Sequence, residues 1–235
     1  MIINKNVLKR FLKKITMEGE QQITEGILDF SERGIVFNAN SESQHARVMA
    51  RLDSAAFTDY SAIGKVGINE MNKVIQVLSR FGDEVSLAKK GNLLTIKSDN
   101  KKVDIELVAE DYVKDSGSPT LEYETTLNLT AAELKGVFED VKTNKDAVMI
   151  FSTRDNILVV TNTGKYKFHN SFDIEGLKGE VVVRMGAPLI AAVSNLDGNL
   201  EISLKTDYPM RIVEETENCQ VVLIVAPRVN ETDEE

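Results

Sequence analysis

Apolar residues recur at helical spacing in four short stretches of this chain and at strand spacing through most of the rest. Val7, Leu8, Phe11, Leu12 and Ile15 form one buried stripe, which predicts a helix over 5–15. Met71, Val74, Ile75 and Leu78 predict a second over 69–81, with Lys73, Gln76 and Arg80 outward. A third opens at Thr130, whose hydroxyl can cap the helix while Glu133 completes a capping box; Leu134, Val137, Phe138 and Val141 face inward. The fourth, over 188–196, is apolar and uncharged, with Pro188 suited to a first turn. The four begin near Val7, Asn69, Ala131 and Ala187, at steps of 62, 62 and 56 residues, so a unit of one helix plus a block of strands repeats.

The intervening sequence alternates with period two. Strands are predicted in the first half over 23–30, 34–38, 47–52, 85–88, 93–98 and 103–108. The second half has seven, over 148–152, 157–161, 166–172, 180–185, 200–204, 210–214 and 221–225. Lys90-Gly91-Asn92, Arg154-Asp155-Asn156 and Asp197-Gly198-Asn199 suit hairpin turns. Between the halves, 109–122 is polar, breaks the alternation and contains Ser116-Gly117-Ser118-Pro119, which reads as a linker. The fold class is α+β: two similar domains, 1–108 and 123–235, each with two helices packed on antiparallel sheets.

Charge changes this picture. The chain carries a net charge of −9, but unevenly. Residues 1–108 hold 16 Lys and Arg against 14 Asp and Glu, whereas 109–235 hold 12 against 23. Four of those acids lie in the last six residues, an acidic tail. Against that background Lys9, Arg10, Lys13 and Lys14 fill the polar face of the first helix with no acid among them. Lys73 and Arg80, then Lys135 and Lys142, repeat the pattern on the next two helices, with Glu139 interrupting it. Cations without interleaved aromatics fit either a solvated surface or sequence-independent contact with a phosphate backbone.

Two strands are complementary to each other. Val103, Ile105 and Leu107 alternate with Asp104 and Glu106, and Tyr166, Phe168 and Asn170 alternate with Lys165, Lys167 and His169. Each strand can pair within its own sheet. They can also pair edge to edge between two copies, apolar face on apolar face and acid opposite base, and head-to-tail contacts of that kind close a ring when the rotation fits.

Other chemistries find little support. No P-loop, Gly-x-Gly-x-x-Gly or Gly-x-Ser-x-Gly occurs, so no catalytic residue and no cofactor are expected. One cysteine, Cys219, and two histidines, His45 and His169, leave no metal site. The absence of a long apolar run or a signal-peptide layout predicts an intracellular, non-membrane protein, cytoplasmic or nuclear according to source.

The C-terminal half carries a resemblance. Leu204-Lys205-Thr206-Asp207-Tyr208-Pro209-Met210, then Leu223-Ile224-Val225-Ala226-Pro227-Arg228-Val229 and an acidic tail, resemble the ending of the proliferating cell nuclear antigen (PCNA) sliding clamps. Met71-Asn72-Lys73-Val74-Ile75 falls where that family has its second helix, and Ser118-Pro119-Thr120-Leu121-Glu122-Tyr123 resembles the end of its interdomain connecting loop, here 109–122. The resemblance implies a homotrimeric ring around double-stranded DNA, a processivity factor tethering DNA polymerase and other replication and repair enzymes, opened by a clamp loader. It implies DNA-facing roles for Lys9, Arg10, Lys13, Lys14, Lys73, Arg80, Lys135, Lys142 and Arg184. A pocket for clamp-binding peptides would use His45, Ala46, Val48, Pro119, Tyr123, Pro209, Ile224, Ala226 and Pro227, and Ser116 and Ser118 depart from the apolar residues usual in the loop. The subunit interface would use Val103, Asp104, Ile105, Glu106 and Leu107 against Lys165, Tyr166, Lys167 and Phe168. The alternative is a non-ring processivity factor or one subunit of a hetero-oligomeric, checkpoint-type clamp.

Overall fold

The structure is a computed structural model that describes residues 1–17, 19–109, 120–142, 147–177 and 179–228. Most of the linker, with Ser116, Ser118 and Pro119, and the acidic tail lie outside the described residues. Four α-helices appear where the stripes predict them: α1 (Lys5–Thr16), α2 (Met71–Leu78), α3 (Ala131–Lys142) and α4 (Ala187–Val193). Local chemistry sets their ends. The Asn4 side chain accepts from the Asn6 N–H at 2.8 Å to start α1. At α3 the Thr130 hydroxyl accepts from the Glu133 N–H at 3.1 Å while the Glu133 carboxylate accepts from the Thr130 N–H at 2.7 Å.

The first half contributes β1 (Ile2–Asn4), β2 (Gly26–Ser31), β3 (Gly34–Asn40), β4 (Ala46–Asp53), β5 (Phe57–Asp59), β6 (Gly64–Ile68), β7 (Glu84–Lys90), β8 (Leu93–Ser98) and β9 (Lys101–Glu106). The second contributes β10 (Thr125–Thr130), β11 (Met149–Arg154), β12 (Ile157–Asn162), β13 (His169–Asp173), β14 (Val181–Met185), β15 (Asn199–Leu204), β16 (Met210–Thr216) and β17 (Cys219–Val225). Four of these were not anticipated. β1 and β5 are three residues each, too short for a period, β6 is interrupted by Gly64 and Gly67, and β10 flanks its inward Leu127 and Leu129 with Thr and Asn.

Sheet order exposes the repeat that the helix spacing predicts. The series β4-β3-β2-β6 in the first half corresponds to β13-β12-β11-β14 in the second, and β1-β7-β8-β9 corresponds to β10-β15-β16-β17. The halves join where β17 pairs antiparallel with β4, from Cys219 opposite Leu52 to Val225 opposite Ala46, which makes one eight-stranded sheet. In this repeat the counterparts of β17 and β4 are β9 and β13. Among the described residues each is an end strand of its own sheet, with one side unpaired.

The core lies between helices and sheets. Leu8, Phe11, Leu12 and Ile15 of α1, Met71 and Leu78 of α2, Leu134, Val137 and Phe138 of α3, and Leu189 and Val193 of α4 are all buried against inward strand residues such as Phe30, Phe37, Phe151 and Leu223. Val7, predicted in the α1 stripe, is 38% exposed. At 3.6 residues per turn it sits about a quarter-turn from the middle of the stripe, on a flank that nothing covers at that end.

Candidate nucleic-acid interface and partner cleft

The outward faces of the helices collect the predicted cations unevenly. Lys9, Arg10 and Lys13 of α1 meet Lys135 of α3 around a depression of about 380 Å³ whose floor is residues 194–197 after α4. Two contacts fix this convergence: the Asn195 side-chain amide donates to the Lys13 carbonyl at 3.0 Å, and Lys135 Nζ donates to the Leu196 carbonyl. Lys73 pairs with Glu70 and Lys142 with Glu139, each three residues away on its own helix. Among the described residues Lys9, Lys13 and Arg80 have no carboxylate within ion-pair distance, so their charge is available to an outside anion.

Lys14 departs from its predicted place. It is 2% exposed and does not reach the helix surface. Its Nζ bonds to the Glu214 carboxylate on β16 and lies 3.1 Å from Asp197 Oδ1, while Arg10 holds the same Oδ1 at 2.6 Å. The other oxygen of Glu214 accepts from the Asp197 and Gly198 N–H groups at 2.9 and 2.8 Å. Burial opposes ionisation of Asp197, yet hydrogen bonds led by Arg10 and including Lys14 hold its carboxyl below the ordinary carboxylate range. Lys14 is therefore a buried strut between α1 and the second half. Helical position alone placed it outside; an element of the second half covers it.

Arg184 also departs. It lies on β14 between the inward Val183 and Met185, so its side chain leaves the sheet on the face away from the core and the helices, where it approaches Asp207 at 3.5 Å.

The candidate pocket residues divide three ways. His45, Ala226 and Pro227 line a cleft of about 770 Å³ together with Pro188, Ile190 and Ala191 of the α4 segment, and the Ala226 N–H donates to the His45 carbonyl at 2.8 Å. Ala46 and Val48 are corrected to core: they alternate with Arg47 and Met49 on β4, are 3% and 0% exposed, and present no surface to a ligand. Ile224, Pro209 and Tyr123 are half-buried and belong to neither set. Ile224 sits on the outer face of β17 opposite Arg47. Tyr123 stacks edge-on against Tyr208 with ring centroids 5.9 Å apart. Burial pushes its phenol up to about 12. Pro119 lies outside the described residues. No sequence signal marked Pro188, Ile190 or Ala191 as cleft walls, because the residues that share the cleft with them are distant in sequence, His45 in the first half and Ala226 and Pro227 near the end of the second.

The two complementary segments lie at or beside sheet ends, β9 and β13. On β9, Asp104 and Glu106 are exposed while Val103 and Ile105 are half-buried, with Leu107 next to it likewise. Lys102 and Thr95 hydrogen-bond to Asp104 and lower its pKa. Strand β13 begins at His169 rather than at 166, so Lys165, Tyr166, Lys167 and Phe168 form an irregular segment before it. The cause is Asn162, 5% exposed, whose amide donates to the Tyr166 carbonyl at 3.0 Å and whose oxygen accepts from the Phe168 N–H at 2.6 Å. That side chain takes the bonds that β12 would otherwise make.

Among the described residues no group of three or more His, Cys, Asp or Glu is placed to hold a metal ion, and no helix is long and apolar enough to cross a membrane.

A pair of helices over antiparallel sheets, repeated once along the chain, is the fold of the PCNA sliding clamps. No protein-family model matches the sequence. The A. fulgidus PCNA solved with the C-terminal region of FEN-1 bound superimposes with a TM-score of 0.86, at 18% identity over 98% of each chain. The PCNA of Entamoeba histolytica gives 0.82 at 19% identity, over 97% of this chain and 98% of that one. A Sulfolobus tokodaii PCNA2–PCNA3 complex gives 0.78 at 14% identity, over 97% and 99%.

Proposed function

We propose that this chain is a sliding clamp, a ring that encircles duplex DNA without reading its sequence and tethers DNA-processing enzymes, with no chemistry of its own. The observation that carries this reading is the pair of unpaired edges. Strand β17 joins β4 within the chain, and among the described residues their repeat counterparts β9 and β13 each end a sheet. Repeating the internal junction between copies gives head-to-tail assembly, which ends when the ring closes. Three copies of two domains, 1–108 and 123–235, is the closure that the likeness to PCNA favours.

In such a ring the helices line the hole. Lys9, Lys13, Arg80 and Lys135, with Arg10, Lys73 and Lys142 tempered by their acidic neighbours, offer phosphate contacts that hold DNA loosely and weaken with salt. The cleft at His45, Ala226 and Pro227 is the surface for a tethered enzyme's peptide; the A. fulgidus clamp, bound to a FEN-1 segment, supports assigning the chain a partner of that class. A polymerase and a clamp loader follow as further partners.

A hetero-oligomeric ring is the second reading, and the PCNA2–PCNA3 complex favours it. Light scattering on the purified protein separates the two. A homotrimer has a mass of about 78 kDa, three times the 26.1 kDa of one chain. Charge reversal at Lys165 and Lys167 returns the mass to that of a monomer. A monomer before any substitution contradicts self-assembly, and a trimer unaffected by the reversal contradicts this choice of edges.

A further inference from the structure

The internal junction is a template for the external one, and it fixes which residues meet. Across the β16–β17 turn Thr216 faces Cys219, as Ser98 faces Lys101 across β8–β9, so Lys101 corresponds to Cys219. Across β2–β3 Ser31 faces Gly34, as Arg154 faces Ile157 across β11–β12; Gly34 faces Asp53 and Ile157 faces Asp173, so Phe172 corresponds to Leu52. Cys219 faces Leu52 inside the chain. Lys101 of one copy then faces Phe172 of the next, and antiparallel counting brings Ile105 to Phe168, Glu106 to Lys167 and Leu107 to Tyr166. On the core side Ile105 meets Phe168 and Leu107 meets Tyr166, while Val103 falls beside Asn170 and Lys101 beside Phe172; on the other side Glu106 meets Lys167 and Asp104 meets His169, although charge played no part in setting the register.

One rung differs in kind from its template. Val225 faces Ala46 inside the chain, a methyl group 3% exposed, whereas the corresponding external pair sets Leu107 against Tyr166, which is 56% exposed and the most exposed large apolar residue among those described. Leu107 lies in a cleft of about 490 Å³ between α2 and β9, walled by Val74, Val77 and Ile105 and rimmed by Asp104, Glu106 and the ion-paired Glu70 and Lys73. A tyrosine body suits its apolar walls, and Lys165 and Lys167 flank that tyrosine, with Lys167 opposite Glu106. The projecting segment is held in advance: Asn162 binds the backbone on both sides of Lys167, and Lys165 Nζ lies 5.7 Å from the Tyr166 ring.

We propose that Tyr166 of one copy fills the α2–β9 cleft of the next as the anchor of the ring contact, with Asn162 as the residue that positions it. The proposal rests on the clamp reading and goes beyond it, because a ring can close in another register and on other anchors.

Cysteine pairs test the register in the full chain with Cys219→Ser. Directly opposed residues in an antiparallel pair come within disulfide reach, and residues displaced by four do not. Glu106→Cys with Lys167→Cys is expected to give covalent dimers and trimers under mild oxidation, and Lys102→Cys with Lys167→Cys none. Cross-linking of the second pair alone, in a protein that is still trimeric, overturns the register while leaving the clamp reading intact; a wild-type protein that stays monomeric at every concentration overturns both. For the anchor, Tyr166→Ala, a change at an exposed position, is expected to raise the concentration of half-assembly at least tenfold. An unchanged midpoint removes Tyr166 from the role. Asn162→Ala is expected to raise it similarly, and to add little once Tyr166 is alanine, because its effect passes through the tyrosine. Fully additive penalties make Asn162 an ordinary structural residue.

Discussion

Lys13 and Lys14 are adjacent, equally charged and on one helix, yet the structure assigns them unrelated tasks, and substituting each with methionine separates these. Lys14→Met leaves Glu214, 1% exposed, with two backbone donors but no counter-ion. Removing one partner of a buried ion pair costs about 3–5 kcal/mol, and the retained backbone donors favour the lower figure. For a chain of this size about 3 kcal/mol lowers Tm by roughly 6–12 °C. The affinity of the remaining folded protein for DNA, and its dependence on salt, should not change. Lys13→Met should do the reverse: a Tm within a degree or two of wild type, and a log–log salt slope shallower by about 0.9 for each phosphate that the protein no longer neutralises. Thermal unfolding followed by circular dichroism and DNA titration at four salt concentrations read both effects. A Lys14→Met protein with unchanged Tm and a reduced salt slope would refute the assignment, since it would place that ammonium in the hole.

Further outcomes follow from single sites. Thr130→Ala removes one half of the α3 capping box and should cost about 1 kcal/mol by denaturant unfolding, with DNA binding retained. The Asp197 carboxyl ionises more readily folded than unfolded, so its contribution is fully present above the ordinary carboxylate range and is lost as pH falls below it. The stability gap between wild type and Asp197→Asn should therefore be flat at neutral pH and shrink below about pH 4. Tyr123 holds its proton up to about 12, above the unfolded value near 10, so stability should decline as pH rises between these limits, and Tyr123→Phe should abolish that part of the slope.

Helices and edges were legible because local pattern suffices for them. An apolar stripe tells which face of α1 is buried, and alternation over 103–107 and 165–169 leaves one acidic and one basic side whatever lies nearby. The sequence failed at Lys14 because its surroundings come from distant parts of the chain: it meets acids 183 and 200 residues away. Arg184 and Val48 were assigned by resemblance against the alternation of their own strands, which turns Arg184 away from the helices and Val48 into the core. Helical position says which way a lysine points, but another domain decides whether water waits there. Asn162 was invisible for a different reason, since a polar residue ending a strand looks like any other until the loop it holds is seen. In sequence the first helix is a row of four cations; with Lys14 turned inward and Arg10 tied to Asp197, its free charge reduces to Lys9 and Lys13.

The central claim, that the protein encircles DNA, is tested most directly by the fate of a bound complex when the DNA acquires ends. Protein is incubated with nicked circular duplex near the concentration of half-assembly, where rings open and reclose, and then moved to a salt concentration that suppresses ordinary phosphate binding. A restriction enzyme cuts half of the sample. The clamp account predicts that the circle keeps its protein and that the linear molecule sheds it from the ends; loss at one rate from both would contradict encirclement.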